Sequence, residues 1–337
     1  MTLKKTSLLL VPFILLVLTY WYSKSRENKN VIWIYASIYK EVISEFDNVL
    51  KEQFPSVQVR WYQSGSENVA ARVNAELSTG NSQADLIMTS DPFWFVELKK
   101  AGHLHSYFSP TAQRLDARYR DTNGAFLINR IPVGVIAYEK TQVPDSEAPK
   151  TWDDLTSPRW RNKISMPSPL ESGTALTFVS QLVGKKGWGY FEALKKNNLL
   201  SSGGNSSVMQ RIETKETPVG IVLLENALQA QKRGAPIAIV YPQEGVIPVP
   251  SPIGILANTR NPDLAQQIYD FFSSDKAQKI FLKANVYSPF LPQLAPESAK
   301  PFAEIEKTEF GWSANILEEF NRTKEDTKKT FTKMILQ

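Results

Sequence analysis

The sequence predicts an α/β protein of two lobes preceded by an apolar N-terminal segment, and three observations predict it. Strand-like apolar runs alternate with helical stripes from residue 31 onward. That periodicity lapses once, in a proline- and aspartate-rich stretch from Val143 to Pro158, and the run from Ser7 to Tyr22 carries no charge. A chain of 337 residues suffices for two domains of ordinary size, and 42% hydrophobic with 22% charged is a core-forming composition.

In the first lobe, Val31 to Tyr35 is an apolar run, and Val42, Ile43, Phe46, Val49 and Leu50 follow at helical spacing until Pro55. Val57, Val59 and Trp61 alternate as a strand does, Ser64-Gly65-Ser66 punctuates, and Val69, Val73 and Leu77 resume a helical stripe up to Gly80. Ala84 to Met88 is a third strand. Three strand-loop-helix units in succession imply a mostly parallel sheet with helices on both faces.

Ile131 to Tyr138 reads as a strand leading into the second lobe. There a strand at Lys163 to Met166, helices from Thr174 to Val183 and around Trp188 to Leu200, and strands at 219–224 and 237–241 form another α/β unit. Val249 to Ala257, broken by Pro250 and Pro252, is an extended passage back to the first lobe, which a helix from Pro262 through Phe281 completes. The tail from Trp312 to Ile335 sets Ile316, Leu317, Phe320 and Phe331 among many lysines and glutamates, as an amphipathic helix packed on the lobe does. The expected division is 1–29 for the N-terminal segment, 30–130 with 255–337 for the first lobe, and 131–254 for the second, with hinge strands at its ends.

Lys4 and Lys5 ahead of the apolar run have the layout of an export signal or membrane anchor, and the positive-inside rule then places everything after residue 25 outside the cytoplasm. Ser23 and Ser25 supply a small-x-small cleavage pattern; Tyr20, Trp21 and Tyr22 form an interfacial aromatic belt that favours an uncleaved anchor over residues 7–22. The absence of cysteine excludes a lipoprotein, disulfides, thiol nucleophiles and thiolate metal sites together. Of the net charge of +5, Lys4, Lys5, Lys24, Arg26 and Lys29 against Glu27 supply +4. The near-neutral remainder offers no basic footprint for nucleic acid.

The stretch Pro149-Lys-Thr-Trp-Asp-Asp-Leu-Thr-Ser-Pro-Arg-Trp-Arg-Asn-Lys-Ile-Ser-Met-Pro167, followed by Ser172-Gly173-Thr174, resembles the start of the second lobe in bacterial periplasmic solute-binding proteins for ferric iron, phosphonates and sugar phosphates. Ser64-Gly65-Ser66 after the second strand and Thr217-Pro-Val-Gly-Ile221 at the opening of a late strand agree with it. The resemblance spans roughly residues 31 to 290. It implies a type II periplasmic-binding-protein fold, two lobes joined by a two-strand hinge, in the extracytoplasmic component of an ABC importer.

Open α/β sheets bind ligands beyond the carboxyl ends of their strands, so the candidate contacts are the turns that follow each strand. The first lobe offers Ser37 and Tyr39, then Ser64, Gly65 and Ser66, then Ser90 and Asp91; Ser66 and Ser90 also read as helix N-caps. The second lobe offers Ser172, Gly173 and Thr174 at a helix start, where free N–H groups and the helix dipole suit a phosphate or carboxylate. Asn205 and Ser206 sit in a comparable polar turn, and Glu225 ends the strand that points into the cleft. An acid beside an anion site suggests a hydroxyl or amine on the ligand as well.

Ferric-binding members carry paired tyrosines where this chain has Leu224-Glu225-Asn226, which weakens an iron reading and favours an organic phosphate or phosphonate. His103 and His105 lie in a glycine-containing loop and read as solvent-facing polar residues rather than metal ligands or a catalytic base, so neither an enzyme, a cofactor nor a metal is expected. The expected partners are a small-molecule ligand and the importer's membrane permease, with the protein itself a monomer. The alternatives are a membrane-tethered ligand sensor or regulator, which an uncleaved anchor favours, and a ferric-iron binding protein.

Overall fold

Two sheets, each flanked by helices, carry the architecture. The computed structural model describes residues 30–307 and 310–337; the apolar segment at 7–22 and its cleavage or retention lie outside the described residues. The first sheet begins with β1 (Val31–Ala36), β2 (Gln58–Gln63) and β3 (Leu86–Met88), linked by α1 (Lys40–Gln53) and α2 (Ser66–Ser78) and followed by α3 (Pro92–Lys100). β1 pairs parallel with β2 from Val31 opposite Gln58, and with β3 from Ile34 opposite Leu86. β4 (Leu127–Arg130) and β11 (Ser251–Ile255) extend the sheet to the order β2-β1-β3-β11-β4, with β11 antiparallel to both neighbours.

The second sheet holds β5 (Val133–Glu139), β6 (Ile164–Met166), β7 (Leu200–Ser201), β8 (Val219–Leu223), β9 (Ile237–Val240) and β10 (Ile247–Pro248), in the order β10-β5-β8-β6-β7 with β9 also paired to β5. Its helices are α4 (Gly173–Lys186), α5 (Trp188–Lys196), α6 (Asn205–Glu213) and α7 (Leu224–Lys232). Both faces of β5 are buried: Val133, Val135 and Ala137 join one apolar cluster, and Ile136 and Tyr138 the other. That is why this strand reads as a continuous apolar run rather than an alternating one.

The chain passes between the sheets at Ile131–Pro132 and again at Val249–Pro250, and the Val249 N–H donates to the Pro132 carbonyl at 2.8 Å, tying the two crossings together. The crossings are therefore shorter than the strand-length passages read from sequence. Residues 127–130 pair in the first sheet before the crossing, and the bulge between Ser251 and Pro252 accommodates a proline inside β11. Beyond Pro262 the expected single helix is two, α8 (Pro262–Phe272) and α9 (Asp275–Lys283). The break falls at Ser273–Ser274, where Ser274 Oγ accepts the Ala277 N–H at 3.3 Å and starts the second helix. Ser66 and Ser90 are not the expected caps, since Gly65 and Asp91 hold those positions.

The C-terminal part departs most from the expected division. After α10 (Phe302–Ile305), Phe310 packs edge-on to Trp152 at 6.3 Å, and α11 (Ala314–Phe331) lies on both α3 and α4. Phe320 meets Phe93 on the first-lobe side, Lys324 Nζ reaches Glu97 Oε1 at 2.6 Å, and Phe331 meets Phe191 at 5.3 Å on the second-lobe side. Its apolar stripe is wide enough to bridge two surfaces, so residues 310–331 serve both lobes rather than the first alone. Phe331 is fully buried, and Phe331→Ala is expected to cost about 3–5 kcal/mol in urea denaturation; a loss under about 1 kcal/mol would mean that the helix end is only loosely docked.

Candidate functional site

The ends of strands from both sheets converge on a cavity of about 240 Å³. Its first-lobe wall is Ser37 and Tyr39 after β1, Ser64, Gly65 and Ser66 after β2, and Ser90 after β3; its second-lobe wall includes Ser172, Thr174, Asn205, Ser206 and Glu225. These turns are polar because a strand passing into a helix needs short side chains there, and because the first helical N–H groups lack partners within the helix.

On the first-lobe side the hydroxyls form one network. Ser66 Oγ donates to Ser37 Oγ at 3.0 Å, the Ser90 N–H lies 3.2 Å from each of those oxygens, and Ser251 Oγ donates to Ser90 Oγ at 3.0 Å. On the second-lobe side Ser172 and Thr174 share a hydrogen bond of 2.8 Å, and Asn205 Nδ2 donates to Thr174 Oγ1 at 2.8 Å. Across the cleft the Tyr39 hydroxyl sits 2.9 Å from Asn226 Nδ2 and 3.1 Å from its Oδ1.

Two of the expected contacts stand elsewhere. Pro92 opens α3, and the next free N–H groups, of Phe93 and Trp94, donate to Asp91 Oδ1 at 3.0 and 3.2 Å, so this carboxylate caps a helix instead of facing the cavity. Burial, reinforced by Glu67 and opposed by Lys324, pushes Asp91 up to about 6. Gly173 is the point at which α4 touches the first lobe. A Cβ there would stand 2.9 Å from both Asp91 Cβ and the Ser90 carbonyl, so only glycine permits that approach. Glu225 lies in the first turn of α7 rather than at the end of β8, which stops at Leu223.

The sequence reading missed Arg130. It ends β4, is 2% exposed and lines the cavity, donating from Nη2 to Ser90 Oγ and from Nη1 to Asn129 Oδ1, each at 3.2 Å. Its guanidinium lies 5.9 Å from the Phe281 ring centre, and among the described residues no carboxylate lies within ion-pairing distance. Desolvation lowers it to about 9, with Glu225 opposing. The signal available in the sequence was an arginine set inside the apolar run Ala125-Phe-Leu-Ile-Asn-Arg-Ile-Pro-Val.

Glu225 is 8% exposed, and its Oε2 has no hydrogen-bond partner among the described residues. Burial pushes it up to about 8, against a lowering by its own backbone N–H and by Arg130. Tyr39 is also held above the usual phenol range, first by burial and then by Glu225, which opposes the phenolate a ferric ion would require. His103 and His105 are half-buried rather than solvent-facing, and His105 Nε2 pairs with Gln266 Nε2 at 3.1 Å, remote from the cavity lining. The lining combines hydroxyls, helix N-termini and one buried cation, which suit an anion, with the carboxyl groups of Glu171 and Glu225.

Two α/β lobes around an interlobe cavity of this kind define a two-lobed solute-binding protein of the type II periplasmic fold. Residues 81–314 match the family of bacterial extracellular solute-binding proteins, and the chain belongs to that family. A probable ABC transporter periplasmic-binding protein of Sinorhizobium fredii is 22% identical over 274 residues, covering 76% of this chain and 75% of that one. The fold is shared with iron-bound HitA from Pseudomonas aeruginosa at 20% identity and a TM-score of 0.75, over 88% of this chain and 99% of that one. It is shared equally with AfuA from Actinobacillus pleuropneumoniae, solved with fructose-6-phosphate bound, at 21% identity and a TM-score of 0.73, over 90% and 98% of the two chains.

The buried acids make stability depend on pH. Both Asp91 and Glu225 bind protons more tightly in the folded protein than in the unfolded chain, so their stabilisation is full below the ordinary carboxyl range and is lost as pH rises, by about 6 for Asp91 and about 8 for Glu225. The urea midpoint is expected to fall between roughly pH 5 and 8.5, and Glu225→Gln to flatten the part above roughly pH 6.5. An equally steep fall there in Glu225→Gln would assign the effect to another group.

Proposed function

We propose that this protein is the solute-capturing component of an ABC importer, closing its lobes on a small anion that bears a phosphate or phosphonate and performing no chemistry on it. The observation that carries the reading is Arg130, a buried guanidinium with no carboxylate at ion-pairing distance among the described residues, bonded to Ser90 Oγ and lining one cavity with the serine and threonine hydroxyls at the N-termini of α2 and α4. Ferric iron is disfavoured by the raised Tyr39 phenol and by a cavity lining that, among the described residues, holds no second tyrosine. Catalysis is disfavoured because the cavity wall holds hydroxyls without a histidine to activate them. The permease of the importer is the partner to which a monomeric binding protein delivers, from outside the cytoplasm.

Closure is read from the contacts that now join the lobes. Tyr39 meets Asn226, Gly173 abuts Ser90, and Lys328 Nζ of α11 lies 3.1 Å from Glu67 Oε2 of α2. Opening by hinge motion at the paired crossings would separate the first two, while the ligand adds bonds to both walls.

Thermal-shift screening of the full-length protein against phosphate esters and phosphonates is expected to find a ligand that stabilises it by about 2.7 kcal/mol at a hundred times its dissociation constant. With that ligand, Arg130→Met and Thr174→Ala should each weaken binding by about tenfold or more, because hydrogen bonds to a charged group contribute about 1.5–3 kcal/mol. Small-angle scattering should show a smaller radius of gyration on saturation. Unaltered affinity in both variants would remove the anion site from this cavity.

A further inference from the structure

We propose that Glu225 sets the specificity of the cleft as an uncharged hydrogen-bonding acid, accepting a ligand with a hydroxyl beside its anionic group and rejecting one with an ammonium there. This rests on the anion reading above. Arg130 and Glu225 line the same cavity, yet they do not form an ion pair among the described residues; each is buried and retains unused bonding capacity. The group that satisfies them must come from the ligand, and it must suit both.

An ammonium can donate to the Glu225 carboxyl but does not suit Arg130. It would enter a cavity already holding the buried guanidinium of Arg130, and like charges repel. It also offers donors only, and Arg130 offers donors only. A hydroxyl donates and accepts, as a protonated carboxyl does, so it can take a hydrogen bond from Arg130 or from Glu225 and return one to Glu225. Glu225 is protonated at neutral pH because burial holds it at about 8.

The charged and titratable groups around Glu225 agree. Arg130 faces it from β4 and Tyr39 from the turn after β1. α6 contributes the neutral Asn205, Ser206 and Ser207 to the shared wall, and Glu171 adds an exposed carboxylate that accepts the Gly203 N–H at 2.6 Å. In the adjoining groove outside Tyr39, Glu41 and Glu45 of α1 stand with Lys232 of α7, Arg233 just past its end and Lys283 of α9, and Lys283 is bound to Glu45 at 2.7 Å. No cation in this set is placed to pair with an ionised Glu225 at ion-pair distance among the described residues.

The matched probes are 2-hydroxyethyl phosphate and 2-aminoethyl phosphate, which differ only in the terminal group, with inorganic phosphate as reference. Affinities are measured by calorimetry on the full-length protein and on Glu225→Gln, with thermal melting to confirm that the variant folds; Glu225→Ala serves as a second variant. At roughly pH 6.5 the hydroxyl probe is expected to bind about tenfold or more tightly than the amine. Glu225→Gln, neutral at every pH, should keep that preference, and Glu225→Ala should weaken the hydroxyl probe. Raising the pH to roughly 9 should shrink the preference in the unaltered protein and leave it in Glu225→Gln. An amine preference at roughly pH 6.5 that Glu225→Gln abolishes overturns the proposal. Equal binding of the two probes overturns it too while leaving the anion reading standing, and failure of all three phosphates to bind overturns both.

Discussion

A guanidinium removed from water without a counter-ion is costly by several kcal/mol, and the arrangement of the cleft follows from how Arg130 is accommodated. It stands at the last residue of β4, immediately before the chain leaves the first sheet, so it occupies the floor between the lobes. Ser90, Asn129 and the ring of Phe281 offset part of the desolvation, and the hydroxyls of Ser37, Ser66 and Ser251 extend the polar network behind it. What remains uncompensated favours an anion, and the helix N-termini on the facing wall favour the same.

The two crossings and the C-terminal helix then impose opposite demands. Two crossings tied by a single backbone bond between Val249 and Pro132 leave the lobes little covalent connection, which suits rotation. α11 rests on both lobes through Phe320, Lys324 and Phe331 and resists their separation. Several buried polar atoms in the same region lack partners among the described residues, including Gln181 Nε2 and Oε1, Asn321 Oδ1 and Glu67 Oε1. A seam that leaves polar groups unsatisfied costs less to part than an apolar one. The apolar anchors of the helix are Phe320 against Phe93 and, at its end, Phe331 against Phe191.

Much of the site could be read in the chain because turns after strands must be polar and small. Ser37, Tyr39, Ser64, Gly65, Ser66, Ser90, Ser172, Thr174, Asn205, Ser206 and Glu225 fall at such turns, and periodicity alone puts them at sheet ends. Asp91 occupies an equivalent position and was indistinguishable by that rule; only the N–H groups left free after Pro92 assign it to capping. Arg130 escaped because a strand interior normally carries no charge, so the run around it reads as core.

By itself the sequence determined the alternation of strands and helices, the break between lobes and the hydroxyl-rich turns. Each of these is set by neighbours a few residues apart, through side-chain periodicity and backbone preference. The tertiary structure alone decided that β11 returns antiparallel into the first sheet, that α11 bridges both lobes, and that Arg130 and Glu225 share one cavity unpaired. Those outcomes join residues far apart in the chain. They follow from which buried surfaces and charges meet once the chain has crossed between the sheets, and local pattern carries no record of that meeting.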